Sequence, residues 1–259
     1  MANKPIQSAE RVSPSDMSDN YVYQRSILAY HRAAELVSGD VLEIGTGSGY
    51  GVAVISPKAS SFLTIDKYEC GIDLQDHPHT EFRCMSVPPL TGIPSNSFDY
   101  VITFQVIEHI KNDFAFLKEI HRVLRPGGRL IVSTPNKKMS LTRNPWHVRE
   151  YTPDEFKNLI GNYFQSIVAD GVYGDDKVMR YYEENRRSVE RFKRLDILHL
   201  EQWLPRWMLK IPYDMLNRIN RRKLLVDNRK LTSTITMDDY YFKEADDTCF
   251  DLYFIAEKE

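Results

Sequence analysis

The segment that most narrows what this 259-residue chain can fold into is Val41-Leu42-Glu43-Ile44-Gly45-Thr46-Gly47-Ser48-Gly49-Tyr50-Gly51. A short apolar run feeds directly into glycines at alternate positions, and a helix start follows. Glycine admits the tight turn and lets a ligand approach main-chain amides, so a strand–turn–helix binding loop is predicted. Spacing excludes two common loops. A dinucleotide fingerprint needs G-x-G-x-x-G, but its last position falls on Tyr50 counting from Gly45 and on Val52 counting from Gly47. A phosphate loop needs Gly-Lys-Ser/Thr, which this segment lacks.

Around that loop the chain reads as α/β. Apolar runs at Phe62–Ile65, Phe82–Met85, Tyr100–Phe104 and Leu130–Ser133 alternate with helical stretches, clearest over Asn112–Leu124. That order predicts a mostly parallel sheet. A helix capped by Thr152-Pro153, a strand near Phe164–Ala169 and a final buried strand at Cys249–Ala256 complete the body. The formal charge is only -2, yet residues 177–230 hold 15 Lys+Arg against 7 Asp+Glu, leaving 19 against 29 elsewhere. We therefore expect a mobile arm and helix over 1–38, a core over 39–170, a basic helical lid over 171–247 and the last strand over 248–259. Three scattered cysteines, a polar beginning and no long apolar run point to a cytoplasmic protein.

Glu43-x-Gly45-x-Gly47-x-Gly49 at the end of a first strand resembles motif I of class I S-adenosylmethionine-dependent methyltransferases. Thr64-Ile65-Asp66, Asn96–Ile102 running into Gln105-Val106-Ile107-Glu108-His109, and Leu124–Leu130 with its Pro-Gly-Gly turn fit that family's order. The resemblance implies a Rossmann-like, seven-stranded, mostly parallel sheet with helices on both faces and a lid inserted before the last strand. It also implies S-adenosylmethionine as cofactor. Gly45, Thr46, Gly47, Ser48 and Gly49 would pack against its methionine part, with Glu43 orienting the loop or the ammonium group. Asp66 would take the ribose, Lys67 would line the adenine, and Met85 and Ser86 would contact the adenine ring. Gln105 would receive the ammonium group, and Tyr23, with Tyr21 and Arg25, would close over the cofactor. Asp99 reads as structural.

The acceptor is less legible. No Asn/Asp-Pro-Pro-aromatic motif and no Pro-Cys nucleophile follows the fourth strand, so DNA bases are excluded. Glu108-His109 and His147-Val148-Arg149-Glu150-Tyr151 form the informative polar set. One reading is local capping; another makes His109 or His147 the general base for a hydroxyl, with Glu108 beside them. A third is a metal site, because the set is similar to the Glu-x-x-Glu-His plus distant His that holds Mg²⁺ in small-RNA 2′-O-methyltransferases and some ubiquinone-pathway O-methyltransferases. Gln105 stands where the first Glu would be, which disfavours a hard cation.

The resemblance thus leads us to expect O-methylation of a small molecule, acidic or lipid-linked. A non-catalytic cofactor-binding scaffold and an RNA 2′-O-methyltransferase remain the alternatives. In the lid, Trp203-Leu204-Pro205-Arg206-Trp207-Met208-Leu209-Lys210 is the candidate for peripheral contact with an anionic membrane.

Overall fold

The computed structural model describes residues 12–194 and 204–259; most of the expected arm and Trp203 of the candidate membrane segment lie outside them. The strands are β1 (Asp40–Ile44), β2 (Ser61–Asp66), β3 (Thr80–Cys84), β4 (Phe98–Phe104), β5 (Leu124–Pro135), β6 (Ser166–Gly174), β7 (Tyr240–Glu244) and β8 (Asp251–Glu257). Among the described residues they form one sheet in the order β3-β2-β1-β4-β5-β8-β6-β7. The β3 to β5 half is parallel, while β8 runs antiparallel to both β5 and β6.

Eight strands replace the expected seven. The added one, β7, is a five-residue edge strand pairing antiparallel with β6. Its Tyr-Tyr-Phe-Lys-Glu sequence shows no buried run, since only Tyr240 is buried, so it was indistinguishable from the helical insert around it. β6 also continues to Gly174, which moves the core boundary past residue 170. The lid is thus the segment between β6 and β7, and the last strand lies inside the sheet rather than at its edge.

Helices cover both faces because each strand alternates. Leu42 and Ile44 of β1 pack with α3 (Asp113–Val123) and α4 (Pro153–Ile160) through Phe116, Ile120 and Phe156. Val41, one residue out of phase, faces α1 (Asn20–Ala34) through Ala29, Tyr30 and Ala33, and Val52 and Ile55 of the short α2 (Val52–Ile55) join the same cluster. Thr152 and Glu155 form a reciprocal capping box at the start of α4.

The lid contains α5 (Asp176–Lys193), α6 (Arg206–Asp227) and α7 (Arg229–Thr234). It is tied to the beginning of the chain by charge. Asp19, fully buried, receives Arg221 at 2.7 Å and Arg218 at 3.5 Å, and Asp16 receives Arg218 at 3.3 Å. Asn20 donates to the carbonyls of Thr232 and Ile235. Residues 16–20, expected to be part of a mobile arm, therefore form a 3-10 turn and helix start clamped to the insert. The expectation failed because the partners lie some 200 residues downstream, where no local pattern reveals them.

Candidate active site

The site is built at the carboxyl ends of β1, β2, β4 and β5, where loops leave a sheet open to ligands. Glu43 is its foundation. It points to the α1 face, is 1% exposed, and accepts hydrogen bonds from Tyr30 Oη at 2.6 Å and Thr64 Oγ1 at 2.5 Å. Thr64 Oγ1 in turn lies 2.6 Å from Thr46 Oγ1 in the glycine turn. Burial pushes the Glu43 carboxyl up to about 7 despite these donors. The tyrosine was not singled out in the sequence, since it sits in a helix that reads as ordinary apolar periodicity. Gly51 is fixed by the same residue: a Cβ there would fall 2.1 Å from the Tyr30 ring.

The turn itself uses left-handed backbone at Gly45 (φ 97°) and Gly47 (φ 60°). A Cβ at Gly45 would strike Val106 at 2.3 Å, while one at Gly47 would meet nothing within 4 Å. The chain can thus pass close under a ligand at Gly47. Asp66 closes the other side, with one carboxylate oxygen accepting the Gly47 amide and the other the Tyr68 amide, both at 2.9 Å. A carboxylate offers about four acceptor positions, so these bonds orient Asp66 without exhausting it. The remaining predicted cofactor residues divide. Met85 is half-buried and its amide donates to the Asp66 carbonyl, which sets it beside the acid, and Ser86 follows it on the surface. Lys67 is exposed, its ammonium 4.9 Å from the centre of the Tyr68 ring. Ser48 is exposed and donates to the Val12 carbonyl, holding the incoming chain rather than lining the groove floor. Gly49 is packed against Ile72. Tyr23 reaches the turn through Tyr50, their rings edge-on at 5.4 Å.

At the end of β4, Gln105 adopts a positive φ of 57°, which costs a non-glycine residue free energy and re-aims its side chain. Its amide Nε2 lies 3.5 Å from Ser133 Oγ, and its side chain hydrogen-bonds to Asp251. Asp251, buried on β8, also carries the ion pair to Arg25, 2.7 Å away. Burial raises the Asp251 carboxyl, and Arg25 opposes that shift. Gln105 is therefore held toward α1 and β8. Arg25 and Tyr21, expected to close over the cofactor, instead pack into the neighbouring cavity wall, where Tyr21 stacks on Tyr181 at 4.3 Å. Asp99 accepts the Asp40 amide and the Arg125 guanidinium at the far end of the strands, a structural position.

The histidines do converge. The His109 and His147 rings lie edge-on with centroids 5.0 Å apart, and candidate ligand atoms of Glu108, His109 and His147 all fall within 4.8 Å of one another. Glu108 is 1% exposed; burial raises its carboxyl, while Thr134 donates to it at 3.0 Å. Its carbonyl accepts the Val148 and Arg149 amides, so the turn after β4 positions the 140–150 loop. His109 Nδ1 lies 3.1 Å from the Trp146 carbonyl. His147 Nδ1 lies 2.6 Å from Glu150 Oε1, and its Nε2 lies 2.8 Å from the Asn144 amide nitrogen. The Nδ1-protonated tautomer satisfies both contacts, leaving Nε2 as an acceptor. Glu150, not among the predicted catalytic residues, also accepts from Ser140.

A cavity of about 650 Å³ opens between lid and core. Tyr21, Tyr181, Tyr182 and Phe250 give it an aromatic side, and α6 roofs it with Leu209, Tyr213 and Leu216. His147 and Glu150 lie on its wall; Glu108 and His109 do not.

An α/β sheet of this order, a glycine turn after β1 and an acid closing β2 define the fold of class I methyltransferases. The family model described as "Methyltransferase domain" matches residues 19–224, and the chain belongs to that family. A Mycolicibacterium smegmatis protein named "Probable S-adenosylmethionine-dependent methyltransferase" is 35% identical over 161 residues, 59% of this chain and 62% of that protein. Mycobacterium tuberculosis Rv3030, with the same description, is 36% identical over 161 residues, 59% of this chain and 58% of its own length. The chain thus spans about three fifths of these curated relatives. A ubiquinone biosynthesis O-methyltransferase of Bradyrhizobium diazoefficiens is 29% identical over 103 residues, 38% of this chain and 40% of that protein. Two solved structures share the fold. A Thermotoga maritima S-adenosylmethionine-dependent methyltransferase superposes with TM-score 0.55 at 15% identity, covering 92% of both chains. The Bacillus subtilis YcgJ protein gives 0.52 at 15%, covering 92% of this chain and 99% of that one.

The Glu43 hub has a measurable signature. With a carboxyl at about 7 in the fold against an ordinary 4.5, its contribution to stability is whole below pH 4.5 and is lost as pH rises through 7. Urea unfolding without added ligand should show Glu43→Gln gaining roughly 3 kcal/mol on the wild type between pH 4.5 and 8. Parallel stability curves for the two proteins would contradict the buried, proton-holding role of Glu43.

Proposed function

We propose that this protein transfers a methyl group from S-adenosylmethionine to a hydroxyl of a small molecule bound under the lid. The observation that carries this reading is His147: a histidine oriented by a carboxylate, on the wall of a partly open cavity that Pro135 at the end of β5 also lines. The names of similar proteins, probable S-adenosylmethionine-dependent methyltransferases, support the donor, and the glycine turn with Asp66 offers it a fitting cradle. Glu43, Gly45, Thr46, Gly47, Asp66 and Met85 would hold it, with Gln105 toward its amino-acid end and Tyr23 at the edge.

When bound, S-adenosylmethionine supplies a sulfonium methyl carbon electrophilic enough for direct in-line displacement. The chain then has to orient the acceptor, exclude water and take a proton. His147 Nε2 receives the hydroxyl proton in place of its contact to Asn144, and Glu150 stabilises the imidazolium through Nδ1. The aromatic wall and α6 shield the transfer from solvent. His109 and Glu108 serve as positioning residues for the loop that carries His147.

A second reading has its own observation. Both histidines present Nδ1 to an acceptor, Glu150 for His147 and the Trp146 carbonyl for His109, which is how metal-binding histidines are commonly braced. Two imidazoles and one carboxylate suit a transition metal better than Mg²⁺, and Gln105 turns away from the cluster.

The exposed side of α6 supports membrane contact. Trp207 (72% exposed), Ile211 (78%), Met215 (60%) and Ile219 (48%) recur every four residues opposite the roof, with Arg222 and Lys223 exposed alongside. This apolar and basic pairing is complementary to an anionic bilayer. Among the described residues no helix is long and apolar enough to cross a membrane.

Transfer from tritiated S-adenosylmethionine to a panel of hydroxylated acceptors tests the chemistry. His147→Ala should lower kcat by about 100-fold or more with S-adenosylhomocysteine affinity retained, and His109→Ala by roughly tenfold at most. Full activity of His147→Ala would sink the base, whereas loss in EDTA and in both variants alike would favour the metal. For the lid, sedimentation with phosphatidylglycerol-containing vesicles at low salt should carry down the wild type but not Ile211→Glu/Met215→Glu. Absence of wild-type binding, or self-association abolished by the same substitutions, would replace the membrane with another partner.

A further inference from the structure

Arg206, Lys210 and Asp214 recur at every fourth position of α6 and so share one face of that helix. The face is turned to the loop that carries His147. Arg206 donates to the Val148 carbonyl at 2.8 Å, and the Lys210 ammonium lies 4.0 Å from the centre of the Trp146 ring. Asp214 Oδ1 accepts the Trp146 indole N–H at 3.0 Å. The lid helix therefore grips the chain on both sides of His147. A neighbouring face of the same helix, with Leu209 and Tyr213, roofs the cavity.

Trp146 is tied to the core as well. Its carbonyl lies 3.1 Å from His109 Nδ1, and its amide donates to Asn144 Oδ1 at 3.0 Å. The Asn144 carbonyl accepts the His147 amide at 3.2 Å, while the Asn144 amide nitrogen lies 2.8 Å from His147 Nε2. An asparagine that closes a turn in this way fixes the backbone two residues on. Val148 then donates to the Glu108 carbonyl at 2.6 Å. The backbone of the segment is thus held by the core and its indole by the lid. A carboxylate accepts an N–H more strongly than a neutral oxygen does, and an ammonium group is attracted to an indole face. Trp146, Lys210 and Asp214 are all half-buried, which keeps these contacts partly out of water.

We infer that Asp214 is a positioning residue for His147, and that its hydrogen bond to Trp146 is the brace through which the lid fixes the turn on which the imidazole stands. The inference rests on the methyltransfer reading, in which His147 Nε2 receives the acceptor proton. Neither Trp146 nor Asp214 lines the cavity, so the brace acts through the turn and not on the acceptor. The helix that covers the acceptor thereby also sets the base. A shift of about 1 Å in a catalytic group can cost about 100-fold in rate, so a contact remote from the chemistry is enough to govern it.

A double-mutant cycle on the full-length protein tests the brace. Trp146→Phe keeps an aromatic ring under Lys210 and removes the N–H, whereas Asp214→Ala removes the acceptor. Each should lower kcat by at least about tenfold, with the KM for S-adenosylmethionine and the affinity for S-adenosylhomocysteine retained. Both delete the same bond, so the double variant should be no slower than the slower single one, which separates this bond from Asp214's other contacts. Asp214→Asn keeps an oxygen acceptor for the indole and should recover most of the loss. NMR of protein labelled at histidine gives a readout independent of turnover, with signals assigned through His109→Ala and His147→Ala. At constant pH the His147 imidazole signals should move in Trp146→Phe and Asp214→Ala and return in Asp214→Asn. Unchanged imidazole signals, full kcat in both single variants, additive losses in the double variant, or S-adenosylhomocysteine affinity lost together with kcat would each overturn the inference. Imidazole signals that move and return as expected while no hydroxyl acceptor is ever methylated keep the brace and sink the methyltransfer reading instead.

Discussion

One buried carboxylate organises this molecule. Glu43 joins three elements: it receives Tyr30 from α1, sits at the end of β1, and receives Thr64 from β2, which passes the contact on to Thr46 in the glycine turn. An acid with its surroundings removed from water is tolerated only when hydrogen bonds replace hydration, or when it holds a proton. Both devices are present here. The turn is consequently not a loose loop resting on a sheet but the surface layer of a hydrogen-bonded core, and Gly51 is small because Tyr30 needs the space.

From that hub the site extends in two directions. Toward β2, Asp66 takes the amides of Gly47 and Tyr68 and fixes the shape of the groove. Toward β4 and β8, the strained Gln105, Asp251 and Arg25 link the groove to the cavity beneath the lid. His147 stands on the wall of that cavity. The groove of the glycine turn and the cavity that His147 lines are thus neighbouring but separate.

The parallel half of the sheet and its glycine turn were legible in the sequence because each is a local pattern: an apolar run, a turn of glycines, an acid at the next strand end. The convergence of Glu108, His109 and His147 was implied by the family resemblance, which places both segments at the same end of the sheet. What escaped were pairings that cross the chain. Tyr30 reaches Glu43 from a helix, and Asp19 finds Arg221 from the opposite end of the sequence. β7 escaped for another reason: an edge strand needs one partner and little burial, so its sequence carries little apolar signal. The charge division between body and insert was visible, but its meaning depended on the two ends of the lid helices returning to the core.

The proposed function places S-adenosylmethionine in the groove between the glycine turn and Asp66. Calorimetric titration with S-adenosylhomocysteine addresses it without any knowledge of the acceptor. Saturable one-to-one binding by the wild type is expected, with an affinity at least about tenfold lower in Asp66→Ala, the loss of a hydrogen-bonded charged partner. Absence of binding by the wild type, or unchanged affinity in a folded Asp66→Ala protein, would contradict it.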